Sequence, residues 1–224
     1  WNDQNDYHFE DNNKDILLVI FGSMGRDEKL IPSFDFYNLL KNNQSYDKIF
    51  IRDIDRNYYL LGLKNSTSNL KDTINLIREK SSVKKYRMIV SIGASSGGFA
   101  SILYGHLLGF TKAIAFNPQT VISKEKETLI KDNLYTLGLS KKLRNLNLSD
   151  LFYQKCLNLK NFIPFKTQAE IHYSNLSDID KNHAKFIEHK YCRLIKYNTS
   201  THLLALQLRD SGDLEEIIEK SLAI

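Results

Sequence analysis

A chain of 224 residues, 42% hydrophobic and 25% charged, can fill the core of one domain and is too apolar for wholesale disorder. Its net charge is +5, yet no aromatic-rich basic stripe or known binding motif accompanies that charge, so a nucleic-acid partner is not expected. No apolar run reaches the ~18 residues of a membrane span, no signal-peptide pattern opens the chain, and Cys156 and Cys192 lack metal-ligand spacing, so a cytoplasmic protein with neither membrane span nor metal is expected.

Residues 1–14 are polar and predict an edge strand or a loose arm. Short apolar runs then alternate with stretches of helical period, which is how a parallel sheet with crossover helices reads. The predicted strands are Ile16–Phe21, Lys48–Ile51, Met88–Ile92, Ala113–Phe116, Ala169–Tyr173 and Arg193–Tyr197. Their near-continuous apolar character suits strands covered on both faces. Helices are predicted at Leu70–Lys80, Ser96–Leu108, Asn182–His189 and Leu214–Leu222. Residues 123–166 break the alternation with Leu- and Lys-rich helical stretches. They are expected to form a helical cap over the carboxyl ends of the strands, where ligands bind in open α/β sheets.

The strand Met88–Ile92 runs straight into Gly93-Ala94-Ser95-Ser96-Gly97-Gly98 and then into a helical pattern. This is G-x-S-x-G between strand and helix, a turn that lifts a serine hydroxyl above the sheet. So sharp a turn leaves no room for a side chain two residues before or after Ser95, which accounts for Gly93 and Gly97. The helix that follows aims its N-terminal partial positive charge at the hydroxyl. Ser95 is the predicted nucleophile, because Ser96 lacks this pair of flanking glycines. Ser96 is expected to lend its backbone N–H to an oxyanion hole. The loop after the first strand, Phe21-Gly22-Ser23-Met24-Gly25, is expected to supply a second donor from Ser23 or Met24. The fold class predicted is α/β: a single α/β-hydrolase-like domain over residues 1–224, its parallel sheet covered by helices on both faces and capped by 123–166.

In this fold the chain order is nucleophile, acid, histidine, so the base must follow the last strand. His202, in the polar loop Asn198-Thr199-Ser200-Thr201-His202, meets that requirement. His8 and His106 come too early, His172 is mid-strand, and His183 and His189 share a predicted helix. The acid belongs to the loop after the preceding strand, where Asp178 and Asp180 both qualify. One would orient His202 by accepting its Nδ1–H, and the other would cap the helix opening near Lys181. Spacing alone leaves them at parity.

Three stretches together resemble a bacterial family of α/β-hydrolase-like proteins that occur with polysaccharide or glycan biosynthesis. They are Arg52-Asp53 with Tyr58-Tyr59-Leu60-Leu61-Gly62-Leu63, the elbow with its helix, and Ala115-Phe116-Asn117-Pro118-Gln119-Thr120. The likeness continues through Asp180-x-x-His183-Ala184, His202 and Gly212-Asp213-Leu214, and so covers most of the chain. Ser96 and Tyr58 depart from it, standing where relatives usually carry Met or Lys, and Trp. More distantly the chain is similar to capsule O-acetyltransferases of the meningococcal serogroup A type. The resemblance implies Asp180, rather than Asp178, as the acid.

The expected function is that of a serine-dependent acyl-group enzyme working through an acyl-enzyme, on a glycan or a small acyl ester. An O-acetyltransferase or O-acetylesterase acting on a bacterial surface glycan fits best, with acetyl-CoA as acyl donor and no bound cofactor. A general carboxylesterase or thioesterase, and a non-catalytic hydrolase-like module in glycan assembly, are the other readings. Residues 123–166 hold nine basic and four acidic side chains, so this segment alone matches the +5 of the whole chain. Its lysines, Lys141 and Lys142 among them, are either a steering surface for an anionic glycan or a solvated face.

Overall fold

Among the described residues, seven strands form one sheet in the order β1-β3-β2-β4-β5-β6-β7. The computed structural model describes residues 4–25, 27, 29–123, 125–131 and 150–223. The strands are β1 Tyr7–Glu10, β2 Ile16–Phe21, β3 Asp47–Ile51, β4 Met88–Ala94, β5 Lys112–Phe116, β6 Gln168–Ser174 and β7 Cys192–Tyr197. β1 pairs antiparallel with β3 at the sheet edge, and every other pairing is parallel. The polar N-terminal stretch thus supplies an edge strand.

Alternate residues of β2 enter two cores, which is why its sequence is apolar throughout. Leu17, Val19 and Phe21 join the cluster containing Ile74, Ile77, Phe99, Leu103 and Leu159. Leu18 and Ile20 join the cluster containing Leu40, Leu204, Leu208, Leu214 and Ile218. The first layer is built from α2 Leu70–Ser81, α3 Ser96–Leu108, α5 Leu151–Cys156, a 3-10 turn at Leu159–Phe162, and α6 Asp178–Phe186. The second is built from α1 Tyr37–Leu40, α7 Leu204–Ser211 and α8 Asp213–Leu222. An α/β fold with helices on both faces results.

Three helices differ from expectation, the first being α1, a single turn that was not expected. α6 opens at Asp178 rather than Asn182, because the Ser177 side chain accepts the Asp180 N–H and caps the helix there. Neither aspartate is the cap. α7 was not expected; it fills the span between the His202 loop and α8, and Leu204, Ala205 and Leu208 are its buried stripe.

The segment expected to form a cap leaves and rejoins the body at adjacent points. Val121 bridges Asn158, Ile122 N–H donates to Leu157 O at 2.9 Å, and Leu159 N–H donates to Thr120 O at 2.9 Å. On its near side α4, Lys126–Ile130, sits against α6, where the Asn182 amide donates to Ile130 O at 3.1 Å. On its far side α5 docks on the start of α2, through Lys71–Asp150 at 2.9 Å and a Leu70 N–H bond to Tyr153 Oη at 3.3 Å. Lys155 and Lys160 lie over the rings of Phe162 and Phe186. Lys141 and Lys142 lie outside the described residues. Among the described residues, no helix is long and apolar enough to cross a membrane.

Candidate active site

Strand register brings the carboxyl ends of β2, β4, β5, β6 and β7 to one edge. Phe21 pairs with Gly93, Ala94 with Phe116, Phe116 with His172, and Ser174 with Tyr197. β3 and β4 lie on opposite sides of β2, so the strand order reverses there and opens a crevice above β2 and β4. Ser95 and the loop from Gly22 to Gly25 border that crevice.

Ser95 sits at φ 53° and ψ −116°, a strained conformation for a residue with a side chain. A Cβ on Gly93 would come within 2.2 Å of the Gly97 backbone, and one on Gly97 within 2.2 Å of Phe21 O. Glycine is therefore obligatory at both positions, as the sharpness of the turn requires. The Ser95 N–H donates to Phe116 O at 2.9 Å, tying the turn to β5.

His202 Nε2 lies 2.9 Å from Ser95 Oγ, and His202 Nδ1 lies 2.7 Å from Asp180 Oδ1. A carboxylate only accepts, so Nδ1 carries the proton and Nε2 is left as the acceptor for the serine hydroxyl. Asp180 is buried, and its Oδ2 has no partner among the described residues. Asp178 points away: its side chain is 87% exposed and pairs with Lys181 at 2.6 Å, which lowers its pKa. The structure thus brings together Ser95, His202 and Asp180 and leaves Asp178 outside.

Ser96 is the first residue of α3, directly after Ser95, so its backbone N–H has no acceptor within the helix. In the opposite loop the Ser23 N–H is already engaged, donating to Asp35 Oδ2 at 2.7 Å. The Met24 N–H has no acceptor among the described residues. Desolvation pushes the Asp35 carboxyl above the ordinary carboxylate range, and the Ser23 N–H opposes that shift.

Several residues that entered the sequence analysis only as part of a resemblance have supporting roles here. Asn117, fully buried at φ 41°, accepts the Ser174 N–H through Oδ1 at 2.8 Å. Its amide donates to Ser174 Oγ at 2.9 Å, Thr201 O at 3.1 Å and His202 O at 3.0 Å. One side chain thereby joins the ends of β5 and β6 to the loop that presents His202. His183, also buried, accepts the Thr120 N–H at Nδ1, and Tyr58 Oη bonds the Gln119 side chain across the start of α3. A polar residue directly after a strand was the available signal for Asn117; its partners lie 57 to 85 positions away. Cys156 and Cys192 are free and buried, and burial pushes both thiols up to about 12, far from a reactive thiolate. No group of three or more His, Cys, Asp or Glu suited to a metal occurs among the described residues.

Solved structures decide the fold. The capsule O-acetyltransferase of Neisseria meningitidis serogroup A superposes with a TM-score of 0.65 at 14% identity, over 96% of this chain and 92% of that one. The fold is α/β-hydrolase-like. A mutant of the same enzyme in complex with CoA superposes with a TM-score of 0.61 at 13% identity, over 94% and 92% of the two chains. A lipase-esterase related protein from Clostridium acetobutylicum gives 0.57 at 19% identity, over 96% and 99%. Est1E from Butyrivibrio proteoclasticus, solved with ferulic acid bound, gives 0.57 at 14% identity, over 97% and 95%. No family model and no curated protein sequence matches the chain.

Proposed function

We propose that the protein is a serine acyl-transfer enzyme that moves an acetyl group from acetyl-CoA to a hydroxyl of a bacterial surface glycan. The observation that carries the reading is the unbroken line from Ser95 Oγ to His202 to Asp180, with separations of 2.9 and 2.7 Å, at the reversal point of the sheet.

The chemistry follows from that line. Ser95 Oγ attacks the acetyl carbonyl carbon while His202 Nε2 takes the hydroxyl proton, and Asp180 stabilises the imidazolium that forms. The Ser96 N–H and an amide of the Ser23–Met24 loop receive the carbonyl oxygen as it becomes an oxyanion. The C–S bond then breaks, the proton passes from His202 to the departing sulfur, and Ser95 is left acetylated. A sugar hydroxyl gives its proton to His202 and attacks the ester, which restores Ser95.

Two features favour transfer to a glycan over a small-ester esterase. The His202 side chain keeps 43% of its surface exposed, which suits an acceptor as bulky as a sugar chain. The fold neighbours include a capsule O-acetyltransferase, a mutant of which was solved with CoA. An acetyl-CoA donor implies a cytoplasmic reaction, in keeping with two free thiols. The test is incubation with acetyl-CoA, with and without capsule-type oligosaccharides, followed by mass spectrometry of the sugar. Acetylated sugar that disappears with Ser95→Ala is the expected result. CoA release that no oligosaccharide accelerates would make the protein a hydrolase, and no Ser95-dependent reaction would make it a non-catalytic module.

A further inference from the structure

Two polar side chains outside the triad, Asp35 and Arg56, grip the loop that faces Ser95, one on each side of a single backbone amide. On the near side, Asp35 Oδ2 accepts the Ser23 N–H at 2.7 Å. On the far side, Arg56 Nε donates to Met24 O at 2.8 Å, and its Nη2 donates to Asp27 O at 2.9 Å and Leu30 O at 2.5 Å. The peptide units before and after the Ser23–Met24 peptide are therefore both fixed, and with them the direction of the Met24 N–H. That amide has no acceptor among the described residues.

Arg56 is itself held in a costly shape. Arg56, Tyr58 and Tyr59 have φ of 55°, 55° and 62°, a region that costs each of them of order 1 kcal/mol or more. The strain is maintained by Asp53, whose Oδ2 accepts the N–H of both Asn57 and Tyr59. The same turn sends Tyr59 Oη to Gly22 O at 2.7 Å, so it grips the facing loop at its start as well as at Met24. Such strain persists only where the surrounding contacts over-determine it, as these hydrogen bonds do.

We infer that Arg56 and Asp35 are positioning residues that pre-organise the Met24 N–H as the second oxyanion donor. The inference rests on the acyl-transfer reading above and names the loop machinery that reading needs. A donor aimed in advance is worth far more than one that must reorient, because the reorganisation cost is met during folding. Asp35 has a second consequence: by occupying the Ser23 N–H it makes Met24, not Ser23, the donor.

Hydrolysis of p-nitrophenyl acetate and binding of a trifluoromethyl ketone, which forms an oxyanion adduct with the serine, test this together. Arg56→Ala should lower kcat by roughly ten- to a hundredfold with little change in KM, since a lost donor typically costs about 10²–10³ and a loosened one less. Ketone affinity should fall by the same factor as kcat/KM, which general loss of structure would not produce while the thermal midpoint holds. Should Arg56→Ala not fold, Arg56→Lys, with one ammonium for three carbonyls, carries the test with a smaller loss in the same ratio. Asp35→Ala should also lower kcat, whereas Asp35→Asn, which keeps an acceptor, should largely restore it. A rise in kcat with Asp35→Ala would mean that Asp35 blocks Ser23, and would overturn the inference. Unchanged kcat and ketone affinity in the Arg56 variants, with Ser95-dependent turnover intact in the parent enzyme, would overturn it alone. No Ser95-dependent turnover in the parent would overturn the functional reading and this inference with it.

Discussion

Asp178 and Asp180 stand two positions apart in one helix turn, and residues at that spacing do not face the same way. Asp180 is buried against His202, while Asp178 is in solvent with Lys181. Sequence spacing does not separate them, because the helix start that sets their directions depends on the Ser177 cap. Ser95 needed no such context, since its glycines, strand and helix are all local. Asp180→Asn should lower kcat for an activated acetyl ester by about 10⁴, through loss of the charge that holds the Nδ1–H tautomer and stabilises the imidazolium. Asp178→Asn should leave it near the parent value. Steady-state kinetics on the two variants decide the matter, and the reverse ranking would move the acid role to Asp178.

The β5–α4 and β7–α7 connections are separate loops in sequence but one unit in space. Asn117 holds the carbonyls of Thr201 and His202, and Ser174 Oγ donates to Thr201 O at 2.6 Å. Strand and elbow positions were legible because apolar runs and a strand–turn–helix signature are short-range. This clamp was not, because its partners come together only once the sheet exists. α7 was missed for a different reason: the polar Asn198–His202 stretch masks a helix whose stripe of Leu204, Ala205 and Leu208 begins immediately after it. Asn117→Ala should free the His202 loop and lower kcat by about 10², the scale of an ångström-sized misplacement. Ester KM should change little, and a kcat equal to the parent's would show that the loop holds itself.

Across the whole molecule, polar groups are also buried within the sheet, away from the triad. Glu170 on β6 bonds His172 Nε2 at 3.0 Å and Arg193 at 3.3 Å, and His172 Nδ1 meets Tyr197 Oη at 2.8 Å. The hydrogen bond from His172 holds the Glu170 carboxyl below its ordinary 4.5 despite desolvation, with His172 and Arg193 charges adding to the effect. A carboxyl depressed in the folded state stabilises the fold above its unfolded value, and that contribution is lost as pH falls through the folded value. Glu170→Gln should therefore destabilise the fold at pH 7 by on the order of 1–3 kcal/mol, the cost of a weakened buried partner, and so lower the thermal midpoint. The gap from the parent protein should close as pH is taken below the ordinary glutamate range. A gap independent of pH would mean that Glu170 acts by packing alone.

In the proposed mechanism Ser95 carries the acyl group. Brief reaction with acetyl-CoA in the absence of a glycan, acid quench, and peptide mass spectrometry test it most directly. An acetyl ester is expected on Ser95 that is absent from Ser95→Ala, accumulates in the unaltered enzyme, and is discharged when an accepting oligosaccharide is added. Acetylation that appears on another residue, or that persists in Ser95→Ala, would contradict it.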